Sequence, residues 1–354
     1  MKRICFLYTD ITTTGGIEKC ISVISNKLTE DERYDISVIS LKKTASEPFF
    51  YFNEKINIEY INKKKAKSRI ETIKKLREKL KDKKIDVLVT ANVALDIVAI
   101  PAIFNTGIKL ISWEHFGFDD SMSNKRIDLA RKLATKFSDY IVTLTQYDMK
   151  KYKEKYHFFK KVKIEQIYNP IDNVNYRHLI KETKTILTIG HFLPVKGYDI
   201  LINVAKNILA NRKDWKWIII GDGEEKQKFI EEIENNGLQE QIIVKSKIKN
   251  VGEYYKNSEI YVNTSRSEGF PLTVLEAKSY NLPVVAFEIP GLVELVEDKI
   301  NGLLIQPYSE AEMQKALIEL MENRDKRLQY SKNAQKDVQR FNIENIIKKW
   351  KKIL

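Results

Sequence analysis

Cysteine is nearly missing from this chain of 354 residues, with Cys5 and Cys20 the only two. Two thiols cannot build a disulfide framework or a cysteine-based zinc site, and such usage fits a reducing compartment. Long apolar runs are missing too. The longest, Val87 to Phe104, is interrupted by Asn92, Asp96 and Pro101, so it reads as a strand followed by a helix rather than a membrane span. The opening MKRICFLYTD holds an apolar run too short for a signal-peptide core. A cytoplasmic protein is therefore expected. No low-complexity tract argues for disorder, and the apolar content of 43% is that of a globular protein. No recognisable nucleic-acid motif is present, and the basic runs lack interleaved aromatics for stacking on bases, so no nucleic-acid partner is expected. No dinucleotide glycine pattern follows any strand candidate, which argues against a nicotinamide dehydrogenase.

What is abundant is positive charge, with a net +13 that is unevenly placed. Residues 1–172 hold 33 Lys/Arg against 23 Asp/Glu, and the remainder holds 28 against 25. An excess of base in one half suits a polyanionic partner, here an anionic membrane surface. The plainer alternative is a Lys-rich composition spread over every solvated face. The segment Lys67 to Lys84 carries Ile70, Ile73, Leu76 and Leu80 at helical spacing among nine Lys/Arg. It could lay that stripe on a membrane or on its own sheet.

Short apolar runs alternate with helical patterns along the whole chain, the signature of parallel sheets covered by helices. Strands are expected at Ile4–Tyr8, Ile36–Leu41, Asp86–Thr90, Lys109–Trp113 and Tyr140–Leu144, with helices such as Ile17–Leu28 and Ile70–Leu80 between them. The pattern restarts with strands at Thr185–Ile189, Trp217–Ile220, Ile242–Val244, Ile260–Asn263 and Pro283–Ala286. The chain is too long for one ordinary core. It parses into two Rossmann-like domains, residues 1–172 and 185–340, broken in the polar stretch Asp172–Lys184. The closing segment, Phe341 to Leu354, has Ile343, Ile346, Ile347, Trp350 and Ile353 on one face and is expected to pack back on the first domain. Open sheets of this kind bind ligands at the carboxyl ends of their strands.

The richest stretch is EIYVNTSRSEGFPLTVLEAKSYNLPVVA, residues 259–286. A strand ends at Asn263, a polar loop follows, and Pro271 opens a helix. The amides of Leu272 and Thr273 then point out of the helix start, ready for a phosphate. Gly269 lets backbone approach a ligand, with Phe270 beside it. Carboxylates here would repel the phosphate itself, so a ribose diol suits Glu276 and a sugar hydroxyl suits Glu268.

Glu268 and Glu276, with the seven residues GFPLTVL between them, resemble the two-glutamate motif of retaining GT-B glycosyltransferases, specifically glycosyltransferase family 4. Further markers are GGIEKCISVISNKL, SWEHF at 112–116, YNPID at 168–172, GHFLPVKGYDIL at 190–201, GDGEEKQKFIEEI at 221–233 and INGLLI at 300–305. The resemblance implies an α/β GT-B fold, two Rossmann-like domains facing across a cleft. It implies sugar transfer from a nucleotide diphosphate donor, usually UDP, with retained anomeric configuration. The donor would bind mainly on the second domain, and a glycan or lipid-linked acceptor mainly on the first.

Carried over by position, Lys196 is the family's phosphate lysine and His115 its histidine beside the transferred sugar. Glu268, His115 and Lys196 form the expected catalytic set. Donor contacts are expected from Gly15, Gly16, His191, Gly221, Gly269, Phe270, Pro271, Leu272, Thr273 and Glu276, with Lys196 serving here as well. Relatives usually carry Arg where this chain has His191, so one of two charges becomes conditional on pH. Lys247 and the single Gly291 also depart from the pattern. No closely spaced aspartate pair sits in the cleft loops, so no metal and no cofactor is expected, with Lys196 and the helix start taking over the electrostatic role. A nucleotide-sugar epimerase of the same fold and a non-catalytic partner subunit are the alternatives.

Overall fold

The computed structural model describes residues 1–62, 68–119, 124–156, 162–172 and 182–354. Two compact units emerge, Met1–Asp172 together with Ile343–Leu354, and Asn173–Asn342. The start of the predicted basic helix at Lys67 and most of the predicted break at 172–184 lie outside the described residues.

The first unit is built on seven strands: β1 (Lys2–Tyr8), β2 (Tyr34–Lys42), β3 (Asn57–Asn62), β4 (Val87–Thr90), β5 (Lys109–Trp113), β6 (Tyr140–Thr143) and β7 (Lys163–Gln166). They pair in the order β3-β2-β1-β4-β5-β6-β7, and every pairing is parallel. Strands covered on both faces need continuous apolar runs, and Ile4 to Leu7 and Val87 to Val89 are fully buried. The helices between these strands, among the described residues, are α1 (Gly16–Leu28), α2 (Arg69–Asp82), α3 (Asp96–Ile103), α4 (Lys125–Phe137) and α5 (Gln146–Lys155). Ser68, Asn124 and Thr145 cap α2, α4 and α5 by accepting from first-turn amides, which satisfies donors that a helix start leaves open.

The closing helix, Ile343–Ile353, belongs to this first unit. Its Ile343, Ile346, Ile347, Trp350 and Ile353 are all buried, each such burial contributing roughly 1.5–3 kcal/mol before entropy. Ion pairs Lys351–Asp31 and Lys27–Glu344, both at 2.6 Å, flank the seam.

The second unit repeats the plan with six strands: β8 (Thr185–Ile189), β9 (Lys216–Ile220), β10 (Ile242–Lys245), β11 (Ile260–Asn263), β12 (Val284–Phe287) and β13 (Gly302–Ile305). Their order is β10-β9-β8-β11-β12-β13, again all parallel. Helices α6 (Tyr198–Leu209), α7 (Lys226–Asn235), α8 (Gly252–Lys256) and α9 (Leu272–Ser279) include those that follow β8, β9, β10 and β11. The strand order reverses between β8 and β11, the kind of switch point at whose carboxyl ends open α/β sheets bind ligands.

Three strands escaped the sequence reading, namely β3, β7 and β13. All three are sheet edges; β3 and β7 lack the unbroken apolar run of a central strand, whereas β13, GLLI, has one of only four residues.

The first unit hides a polar knot behind its β4–β5 pair. Asp96, fully buried, accepts from Thr90 Oγ1 at 2.6 Å and from Ser112 Oγ at 2.7 Å. Burial pushes its carboxyl up to about 7, against the opposing pull of those two hydroxyls. The folded state thus holds the proton more tightly than the unfolded chain, whose aspartates titrate near roughly 4. Its stabilising contribution is complete below that lower value and is lost as pH rises through about 7. Melting temperatures measured at pH 5 and pH 8 should therefore differ less in Asp96→Asn than in the parent. An equal difference in both proteins would show that this carboxyl does not titrate in the window.

Candidate active site

The second unit's site begins with β8. Gly190 N donates to the Ile220 carbonyl at 3.0 Å and Tyr198 Oη donates to the Gly190 carbonyl at 2.9 Å. Phe192 stacks on Tyr198 with centroids 4.1 Å apart. His191, between them in sequence, is exposed, with Nδ1 3.3 Å from the Asp222 carbonyl. Gly221 follows β9 and lies against the Gly190 carbonyl.

Gly197 then turns the chain with φ of +67°, in the left-handed region that favours glycine. A Cβ there would fall 2.1 Å from the Thr264 carbonyl, so the β8 loop runs hard against the β11 loop. Around that contact the two loops are tied together. Thr264 Oγ1 donates to the Lys196 carbonyl at 2.9 Å, and Arg266 N donates to the Val195 carbonyl at 2.7 Å. The Arg266 guanidinium grips both Asp199 oxygens at 2.9 and 2.6 Å, a planar fork that fixes orientation as well as distance.

Inside this frame Lys196 Nζ donates to Glu268 Oε1 at 2.7 Å. Ser265 Oγ and Asn263 Nδ2 donate to the same oxygen at 2.7 and 3.3 Å. A Cβ on Gly291 would meet the Glu268 carbonyl at 2.2 Å. That departure from the family pattern thus retains the one glycine the loop needs for close approach. Phe270 is buried with its ring edge-on to Phe341, centroids 5.7 Å apart. Pro271 is the N-cap of α9 rather than its first residue, a difference of one position within the usual scatter of helix ends. The Leu272 and Thr273 amides make no backbone hydrogen bond among the described residues, as expected for a helix start. Glu276, a turn further in, is 9% exposed and accepts from Tyr255 Oη at 2.9 Å. Tyr255, carried by α8, stacks on Tyr280 at 5.2 Å.

The remaining predicted residues belong to the first unit. Gly15 caps α1 and Gly16 opens it. The buried Glu18 carboxylate lies against Gly15 and accepts from Thr13 Oγ1. His115 follows β5, so β4 separates the strand behind it from the strand behind Gly15 and Gly16. His115 is half-buried, and its Nε2 has no hydrogen-bond partner among the described residues. Its ring packs on Trp113 at 4.3 Å, and Trp113 packs edge-on to Trp350 of the closing helix at 4.9 Å. Burial pushes the imidazole down to about 3, so it is neutral near pH 7.

Several supporting residues were missed by the sequence reading. Glu114, given no role, is fully buried and takes Arg131 Nε at 2.8 Å and Tyr152 Oη at 2.7 Å. Its other oxygen accepts from Phe116 N at 3.0 Å, which fixes the turn that carries His115. A charge flanked by tryptophan and histidine at a strand end was the available signal. Tyr255, Ser265, Asn263 and the Arg266–Asp199 pair had no pattern to betray them. Among the described residues no group of three or more His, Cys, Asp or Glu is placed to hold a metal ion.

The second unit thus brings Lys196 and Glu268 together past the paired ends of β8 and β11, beside the start of α9 and the buried Glu276. Residues 14–174 match the family model Glycosyltransferase Family 4, and residues 173–337 match Glycosyl transferases group 1. The chain belongs to this glycosyltransferase family and has its GT-B fold, with two parallel-sheet Rossmann-like domains. It is similar to an uncharacterized glycosyltransferase of Haemophilus influenzae, 35% identical over 359 residues and covering 100% of both chains. It is also similar to AmsD of Erwinia amylovora, an amylovoran biosynthesis glycosyltransferase, at 25% over 363 residues and 100% of both. Among solved structures, HepE of Anabaena in complex with UDP and glucose superposes with a TM-score of 0.82 at 19% identity. That superposition covers 100% of this chain and 99% of the other, a likeness of fold.

The loop contact at Gly197 can be weighed against a neutral comparator. Gly237 also has positive φ, at +63°, but a Cβ added there would have nothing within 4 Å. Gly237→Ala should cost about 1 kcal/mol from backbone strain alone. Gly197→Ala should cost clearly more, on the order of 2–4 kcal/mol, because a backbone carbonyl must also move. Chemical denaturation of both variants measures the difference, and equal losses would mean that the two loops do not touch.

Proposed function

We propose that this glycosyltransferase retains anomeric configuration and moves a sugar from a nucleotide diphosphate donor, a UDP-sugar, to a glycan or lipid-linked acceptor of bacterial surface polysaccharide synthesis. The observation that carries the donor reading is Lys196 beside Glu268, on loops tied together next to the α9 start. Uridine is the nucleotide because UDP occupies the Anabaena neighbour. A surface polysaccharide is the product class because AmsD serves amylovoran biosynthesis.

In this reading the second unit holds the donor and the first unit serves the acceptor. Charge accumulates on the leaving diphosphate as its bond to the sugar C1 breaks, and Lys196 with the Leu272 and Thr273 amides stabilises that charge. The acceptor oxygen bonds to C1 on the same face, and its proton passes to the departing phosphate oxygen. Glu276 takes the ribose hydroxyls and Glu268 the sugar hydroxyls. His115, being neutral, acts through hydrogen bonds rather than charge. No metal is required for these steps, since the protein supplies the positive potential.

The membrane part of the proposal moves from α2 to α4. Leu76 and Leu80 of α2 are buried in the core of their own unit and Ile73 packs against it, leaving Ile70 exposed. On α4, by contrast, Leu129 and Phe137 are 51% and 44% exposed, beside exposed Lys125, Arg126, Lys132 and Lys136. Apolar side chains protruding among cations suit the surface of an anionic bilayer. No helix among the described residues is long and apolar enough to cross a membrane, so the association would be peripheral, at the cytoplasmic face.

Two experiments test these readings. Across a panel of nucleotide sugars, UDP-sugars should raise the melting temperature and one should be turned over. Within that assay Glu276→Gln should raise the Kd for UDP about tenfold, whereas Glu268→Gln should lower kcat by about 100-fold or more. Small and equal effects of both changes would make the two glutamates structural. For the membrane, co-sedimentation with phosphatidylglycerol vesicles should exceed that with phosphatidylcholine and fade at high salt. Replacing Leu129 and Phe137 by Ser should weaken it, and equal binding to both lipids would end the idea.

A further inference from the structure

Three cations stand at the carboxyl ends of β8, β9 and β11, and each already has a carboxylate. Lys226 holds Asp222 Oδ1 at 2.7 Å, Arg266 holds Asp199, and Lys196 holds Glu268. The first two pairs are built into the frame. Asp222 also accepts from Lys247 N at 2.8 Å, and Asp199 shares Arg266 with the Pro194 carbonyl, 2.7 Å from the guanidinium. These hydrogen bonds hold both aspartates below the usual carboxylate range.

The third pair is different. Glu268 Oε1 has two neutral donors besides Lys196, namely Ser265 Oγ and Asn263 Nδ2. Withdrawing the ammonium therefore leaves the carboxylate anchored. Asn263 is itself fixed, since its Oδ1 accepts from Ser265 N at 2.9 Å. The Lys196 backbone is pinned through its carbonyl by Thr264, while its side chain is 25% exposed against 10% for Glu268. The lysine side chain is thus the more accessible of the two, and the glutamate the better anchored.

We propose that Lys196–Glu268 is an exchangeable ion pair, in which the donor diphosphate replaces Glu268 as the counter-ion of Lys196. This rests on the donor reading of the site given above. Before the donor binds, the pair cancels its own charge, and the Lys196 ammonium is not available to the diphosphate. Binding breaks the pair and creates two functional groups at once. Lys196 turns to the phosphates, and Glu268, held by Ser265 and Asn263, is released toward the sugar hydroxyls. A nucleotide without sugar must break the pair but gains nothing from the freed carboxylate. A nucleotide sugar recovers that loss through its hydroxyls. Ser265 and Asn263 are then positioning residues, needed most once the lysine has left.

Calorimetric titration with UDP tests the exchange. Glu268→Gln keeps the side-chain volume and removes the competing charge. It should tighten UDP binding by about threefold to tenfold at low salt, with a steeper decline as salt is added. The same change in a Lys196→Gln background should tighten nothing, because no ammonium remains to be released. Ser265→Ala should lower kcat while shifting UDP affinity less than about twofold. Unchanged or weaker UDP binding by Glu268→Gln, with the parent binding normally, overturns the exchange and leaves the donor reading intact. Tightening that persists without Lys196 also overturns it, since simple repulsion between carboxylate and phosphate would then suffice. Failure of parent and variants alike to bind UDP or any other nucleoside diphosphate overturns the donor reading itself.

Discussion

Strand β11 pairs in parallel with β8, Ile260 against Ile186 and Tyr261 against Leu187, and the second unit's site depends on that ladder. The two strands are far apart in sequence, and their pairing sets the loops that leave them side by side. The order of strands reverses at this pair, the place where open α/β sheets bind ligands. Lys196 and Glu268 meet only because of it. The glycine at 197 and the threonine at 264 then convert neighbourhood into contact. Each layer of the arrangement uses a different force: the ladder uses backbone hydrogen bonds, the loops use close packing, and the pair at the centre uses charge.

The first unit solves a related problem with buried charge. A carboxylate and a guanidinium removed from water cost more than they return unless their remaining hydrogen-bonding capacity is filled. Glu114 and Arg131 meet that condition, for Tyr152 and Phe116 N complete the glutamate while the Phe118 and Gly117 carbonyls take the arginine. Phe118 and Tyr152 also present their rings to the cation at 4.7 and 5.5 Å, a further favourable contact. The outcome is a rigid turn after β5 rather than a reactive acid. His115 is held on one side of that turn and the polar knot around Asp96 lies beneath it.

Central strands such as β1, β4 and β8 were legible because burial on both faces writes an unbroken apolar run. Lys109–Trp113, Thr185–Ile189 and Ile260–Asn263 were read with the bounds the structure has. Strands β3 and β7 were not legible, since NIEYIN and KIEQ are short and polar, without the unbroken apolar run of a buried strand. The site divides in a similar way. Glu268, Glu276 and Lys196 stood out through local motif and resemblance. Their partners did not, because a tyrosine in a polar loop or an asparagine at a strand end carries no local mark of the carboxylate it will serve. Such partnerships are fixed by topology, and one sequence without its fold gives no distances. The apolar stripe on α2 left two readings open, membrane or its own sheet, for the complementary reason. An amphipathic pattern says that one face is apolar, and only packing says what that face meets.

The closing helix has a consequence for how the molecule is made. Chain synthesis runs from the amino end, so β1 to β7 leave the ribosome long before Ile343–Ile353. Until Ile343–Ile353 emerges, Trp113 lacks its edge contact with Trp350, and α1 lacks the helix that packs on it. The first unit is thus begun first and finished last, with the whole second unit synthesised in between. A ribosome that stalls before Ile343 would hold a chain whose second unit is complete and whose first unit has an open seam. Quality control in the cell would meet that seam as exposed apolar surface around Trp113.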